Sequence, residues 1–205
     1  MAWCRTTHKI LSIQMRKLKR ILLTIFGDIK VFRWPFWIVY DPDMYGMTGS
    51  KIRAVLDIIK PGDIVLRGYR HYADGYFIPG KYSHSGIYIG NNMVVHAVAE
   101  GVSKIDILDF LMCDICCILR PKQEGIGDSA VKKAISYIGT AYDFDFSKGD
   151  TSLYCHELTA ISFLPKIRVE RFIPKILFGL IKGPHKVFLA QSFIESPAFE
   201  IVYEA

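Results

Sequence analysis

The sequence predicts an α+β protein in which an antiparallel sheet packs against helices, and three observations predict it. Short runs rich in Val, Ile, Leu and Tyr fall at residues 63–67, 83–89, 93–98 and 114–120, bounded by Gly, Pro, Asn or Asp. Helical patterns fall at 51–59, 128–138 and 154–163, outside that cluster rather than alternating with it, which argues against a βαβ array. Gly90, Asn91 and Asn92 link two of the runs as a tight hairpin would.

Each element has a local reason. Residues 9–27 carry Ile10, Ile13, Leu18, Ile21, Leu22 and Ile25 among basic residues, an amphipathic helix ended by Gly27. Trp34, Pro35, Phe36 and Trp37 form an aromatic, extended connector, and 41–43 and 46–50 are turn-rich. Residues 60–63, Lys-Pro-Gly-Asp, turn the chain from the first central helix into the first strand. Residues 105–112 read as a short helix or turn. Asp128 is a natural cap for the helix 128–138, and Gly139 a natural stop. Residues 139–150 form a polar, aromatic loop before the helix 154–163. The tail reads as an apolar helix at 172–180 and short strands near 186–189 and 199–203.

A chain of 205 residues fits one domain with an extension, and 51% hydrophobic content excludes a disordered chain. The net charge of +6 favours anionic neighbours, and Lys9, Arg16, Lys17, Lys19 and Arg20 concentrate it in residues 9–27. An anionic membrane surface is therefore a candidate partner for that segment. No Gly-rich phosphate cradle or aromatic-basic platform points to nucleic acid, so none is expected as a partner. No run approaches the ~20 apolar residues of a membrane span, and no secretory signal pattern appears.

The five cysteines are Cys4, Cys113, Cys116, Cys117 and Cys155. An odd number with three inside five positions is not a disulfide framework and suits a reducing compartment. Cys113, Cys116 and Cys117 read as small hydrophobes of a buried strand, since no second metal-ligand pair follows. No metal or organic cofactor is expected.

Cys155 differs. It stands at the start of a predicted helix, where unpaired N–H groups favour thiolate and can hold an oxyanion. A nucleophile needs a base, and the base an orienting group. His84 and His96 lie 12 positions apart on adjacent predicted strands. A hairpin loop with an odd number of residues puts both on one face, opposite or one diagonal step apart, about 5–8 Å. A two-residue Asn91-Asn92 turn puts them on opposite faces. Glu100 is the reserve candidate for the orienting role.

These motifs run in order as K-P-G-D-I-V-L-R at 60–67, I-P-G-K-Y-S-H-S-G-I-Y-I-G at 78–90, V-V-H-A-V-A-E-G-V at 94–102, A-Y-D-F-D-F at 141–146 and Y-C-H-E-L at 154–158. The pattern resembles the YiiX/YaeF-like permuted papain-fold hydrolases, relatives of the NlpC-type cell-wall peptidases, from about residue 41 to the C-terminus. The histidine precedes the cysteine, as in the permuted branch. The resemblance implies a circularly permuted papain-like (NlpC-like) domain over 41–205, after a segment of residues 1–40 without counterpart. It implies Cys155 as nucleophile, His84 as base and His96 as the third residue. Tyr142, Tyr154 and Asp143 are expected around the oxyanion or substrate. The implied function is cysteine hydrolysis of an amide bond in a small or cell-wall-type peptide. The spacing of the two histidines is also similar to that in the lecithin–retinol acyltransferase family. That similarity keeps a lipid thioesterase, phospholipase or acyltransferase as an alternative, beside a non-enzymatic binding module. The group usually has serine after the cysteine; here it is His156.

Overall fold

The computed structural model describes residues 15, 17–22, 29–31, 38–40, 45–70, 80–144, 146, 151–172 and 186–205. The connector at 34–37, the turn at 41–43, most of the proposed helix 9–27, part of the 139–150 loop and nearly all of the tail helix 172–180 lie outside the described residues. Within the first segment, residues 17–22 are helical.

The elements are β1 (Ile29–Val31), β2 (Ile38–Tyr40), α1 (Gly49–Ile58), β3 (Ile64–Gly68), β4 (His84–Gly90), β5 (Met93–Val98), β6 (Gly101–Asp106), α2 (Ile107–Phe110), β7 (Ile115–Pro121), α3 (Ile126–Ser136), α4 (Cys155–Phe163), α5 (Ala190–Ile194) and β8 (Phe199–Glu204). β1 and β2 form a small hairpin. The other strands form one sheet in the order β6-β5-β4-β3-β7-β8, with every neighbouring pair antiparallel.

Both faces of this sheet are covered, which explains why its central strands are apolar almost without interruption. On one face Ile64, Leu66, Ile87, Val95 and Leu119 pack with Ala130 and Ala134 of α3, Leu158 and Phe163 of α4, and Phe193 of α5. On the other face Val65, Tyr88, Val94, Cys116 and Ile118 pack with Val55 of α1 and Ile107 and Phe110 of α2. The alternation of strand side chains sorts them between the two layers. Cys113, Cys116 and Cys117 are free thiols, all buried, as expected of small hydrophobes.

Three local expectations are corrected. Residues 101–106 form a full strand, because Gly101 turns the chain back at once and β6 pairs along β5. The third helix starts at Ile126 after Gly125 in the left-handed conformation, so Asp128 lies in its first turn rather than capping it. Near 186–189 there is only an isolated bridge, Phe172 to Val187, followed by α5, which the sequence did not signal.

The hairpin decides between the two loops that the sequence left open. Asn91 and Asn92 both have positive φ, 51° and 60°, so the loop is the two-residue turn, closed by Gly90 opposite Met93. By itself that register would send His84 and His96 to opposite faces. A register shift between Tyr88 and Gly90 restores the even pairing: Tyr88 opposes Val94 and Gly86 opposes His96. The histidines therefore share a face.

Candidate active site

The site lies where the end of β3, the start of β4 and the start of α4 meet. α4 is buried on every side: Cys155, His156, Glu157, Leu158, Thr159, Ala160, Ser162 and Phe163 are all buried. Polar groups inside such a helix need partners. Thr159 donates its hydroxyl to the Cys155 carbonyl at 3.1 Å. Its proton being used, it accepts from the Ser85 hydroxyl at 2.9 Å. This chain of two bonds fixes the first turn of α4 to β4, one residue from His84.

Tyr154, the residue before α4, is extended, and no side chain among the described residues caps the helix. Its first N–H groups are open to an anionic atom. The backbone N–H groups of Ser85, His156 and Cys155 itself act on the Cys155 sulfur in favour of thiolate, as does the charge of Arg67. Burial outweighs them and pushes the thiol up to about 11. The expected low thiol pKa at a helix start is thus corrected. The resting group is a thiol, still below Cys113 and Cys117, which burial pushes up to about 12.

His84 and His96 stand side by side: His84 Nε2 lies 3.1 Å from His96 Nδ1, and the rings meet edge to face with centroids 5.3 Å apart. Burial, then the charge of Arg67, holds both imidazoles neutral, His96 down to about 4 and His84 well below its ordinary value. Phe110 of α2 supports the pair, with ring centroids 5.5 Å from His84 and 5.7 Å from His96. The Nε2 bond leaves His84 Nδ1 as its second functional nitrogen. If Nδ1 is to accept a proton, Nε2 carries the hydrogen and donates to His96 Nδ1.

A third imidazole was not weighed from sequence. His156 is 3% exposed, and its Nδ1 lies 3.3 Å from the Cys155 sulfur. Its ring stacks on Phe193, and Nε2 is buried with no hydrogen-bond partner among the described residues. Burial lowers its pKa to about 3. Its only sequence signal was the departure from serine after the cysteine.

Of the remaining expected residues, Tyr142 and Tyr154 lie near Cys155. Tyr142 lies within electrostatic reach of Cys155; burial first, then a Cys155 or Asp143 anion, raises its hydroxyl pKa. Asp143 is buried beside it, its N–H bonded to the Leu153 carbonyl. Ala141 bridges Ser152, which brings this loop against the start of α4. Tyr154 accepts from the Phe188 N–H at 2.7 Å and packs on Phe146, so its hydroxyl is engaged with the C-terminal segment. Glu100 lies in the exposed turn between β5 and β6, 4.0 Å from Arg20, while His96 occupies the place beside His84. Arg67, Ser85, Phe110 and Thr159 were missed from sequence. Ser85 and Thr159 carried a faint signal, one residue from His84 and one helical turn after Cys155.

A papain-like helix carrying a buried cysteine, laid on an antiparallel sheet whose histidine strand comes earlier in the chain, defines the permuted papain-like class. Residues 58–203 match the model of a family described as permuted papain-like amidase enzyme, YaeF/YiiX, C92 family, and the chain belongs to that family. It is an amidase and cysteine peptidase family, so the chain is a hydrolase of that type. Among solved structures the chain is similar to YiiX from Escherichia coli O157:H7, at 20% identity and a TM-score of 0.60. That match covers 71% of this chain and 97% of the other. No curated protein matches. The similar structure is described as a metalloprotein. Here no group of three or more His, Cys, Asp or Glu among the described residues is arranged to hold a metal ion. Among the described residues, no helix is long and apolar enough to cross a membrane.

Proposed function

We propose that the protein hydrolyses an amide bond in a small or cell-wall-type peptide through Cys155, His84 and His96. The observation that carries this reading is the His84 Nε2 to His96 Nδ1 bond of 3.1 Å, on the strand whose next residue meets the cysteine helix. His96 fixes the tautomer of His84, and His84 Nδ1 takes the thiol proton as the sulfur attacks the carbonyl carbon. The Cys155 thiol and the His84 imidazole both start neutral, so charge separates between them only as attack proceeds. The thiolate and the oxyanion then meet N–H groups already oriented at the helix start. The amine leaves with the proton held by His84, and water, activated by the same imidazole, releases the acyl group.

A second reading has a specific observation behind it: His156 Nδ1 is 3.3 Å from the sulfur and could itself be the base. Two features favour His84. It has an orienting partner, whereas His156 Nε2 has none among the described residues, and it is only partly buried, so it can pass a proton to a leaving group. The test compares His84→Ala with His156→Phe, using alkylation of Cys155 by iodoacetamide and hydrolysis of N-acyl dipeptide amides and acyl thioesters. His84→Ala is expected to lower turnover by about 10²- to 10⁴-fold, the usual contribution of a general base. His156→Phe is expected to stay within about tenfold. The reverse order makes His156 the base. Thioester turnover without amide turnover moves the substrate to the acyl-lipid class.

A further inference from the structure

Arg67 is a cation beside the histidine pair, and the proposed chemistry does not use it. It stands at the end of β3 directly opposite His84, so both side chains leave the sheet on the same face. Its guanidinium lies 4.6 Å from the centroid of Phe110, the ring that also supports His84 and His96, and 5.6 Å from that of Tyr69. One nitrogen, Nη1, donates to the Phe110 carbonyl at 3.1 Å, and Nε is buried without a hydrogen-bond partner among the described residues. No carboxylate among the described residues forms an ion pair with it.

Its cost is clear. A partly buried cation with an unsatisfied donor and no counter-charge is unfavourable, and such groups are ordinarily paired. The fold keeps it beside two imidazoles, whose protonation its charge opposes, and within electrostatic reach of the Cys155 sulfur. An apolar residue at this position would pack on Phe110 as well. A flat guanidinium held by a carbonyl and lying against two aromatic rings keeps its remaining N–H groups in one plane, suited to a planar anion.

We propose that Arg67 is a specificity-determining residue that receives a carboxylate of the substrate close to the scissile carbonyl. The preferred substrate class is then an acyl group or peptide bearing a free carboxylate near the cleaved amide. This rests on Cys155 as nucleophile. A different role for the same cation, steadying the thiolate, would speed every alkylation of the sulfur alike, whereas a carboxylate receptor discriminates between reagents by charge.

The experiment uses that difference. The full chain is alkylated at Cys155 with iodoacetate and with iodoacetamide, and the ratio of the two rates is measured, so that any change in thiolate content cancels. The ratio is expected to fall about tenfold in Arg67→Gln and to stay within about threefold in Arg67→Lys, which keeps the charge. In the unaltered protein the iodoacetate rate alone is expected to drop as salt is raised, a readout independent of how the variants fold. An unchanged ratio in Arg67→Gln, or a salt-insensitive iodoacetate rate, overturns the proposal. If neither reagent labels Cys155 faster than the buried Cys113, Cys116 and Cys117, the nucleophile assignment fails instead.

Discussion

Three imidazoles, His84, His96 and His156, are folded into surroundings that hold them neutral, and this ties the stability of the protein to pH. Burial is the first cause in each case, and it takes His96 to about 4 and His156 to about 3. In the unfolded chain each titrates near 6.5. Between these values the unfolded state binds protons that the folded state does not, so stability is full above pH 6.5 and falls as the pH drops toward 4 and 3. Each imidazole contributes a slope of about 1.4 kcal/mol per pH unit in that window. Unfolding free energies from urea titrations at pH 7 to 4.5 should show this loss, and His156→Phe should remove about one third of the histidine slope. A variant with the same slope would mean that His156 stays accessible to protons. The cysteine shows what was legible at this scale. Its helix-start position could be read directly, and that logic predicts an activated thiol. How far burial outweighs the helix N–H groups depends on neighbours distant in the chain, such as Ser85 and Arg67.

At the scale of the elements, the shared face of His84 and His96 was legible, but not the route to it, a two-residue turn with a register shift. Alternation fixes relative facing only when the number of residues between partners is known, and a bulge changes that number without a clear sequence signal. Gly86 shows a similar dependence. It lies opposite His96, and a Cβ there would fall 2.5 Å from Val94 Cγ1, 3.0 Å from the Val95 carbonyl and 3.1 Å from Phe110. The missing side chain is what lets Phe110 come close beneath the histidine pair. Gly86→Ala is therefore expected to cost about 1–3 kcal/mol by overpacking and to slow Cys155 alkylation together with it. Urea midpoints and labelling rates measured on one preparation test this. A loss of stability with an unchanged labelling rate would show that Phe110 does not hold the site.

For the molecule as a whole, the sequence placed most strands correctly between residues 60 and 163, where the periodic pattern and the spaced motifs agree. It missed β6 and α5, whose short runs are fixed by pairing with β5 and by packing on β8 rather than by local preference. The segment before the hydrolase fold can be tested in the same terms. The family match starts at residue 58, and Cys155, His84, His96 and Arg67 all lie after it. Within residues 17–22, Leu18, Ile21 and Leu22 are more than half exposed, at 51%, 52% and 57%. An ion pair from this stretch, Arg20 to Glu100 at 4.0 Å, is exposed on both sides and is worth under about 1 kcal/mol. Removing residues 1–27 should therefore leave Cys155 labelling unchanged and lower the melting temperature only slightly. The proposed meeting of residues 9–27 with an anionic surface is tested on the same two proteins. Each basic residue near such a surface contributes about 1 kcal/mol, screened by salt. Binding to anionic vesicles at low salt should then be present in the full chain, lost at high salt and absent after the deletion. A large fall in melting temperature, with no vesicle binding by the full chain, would make the segment part of the core instead.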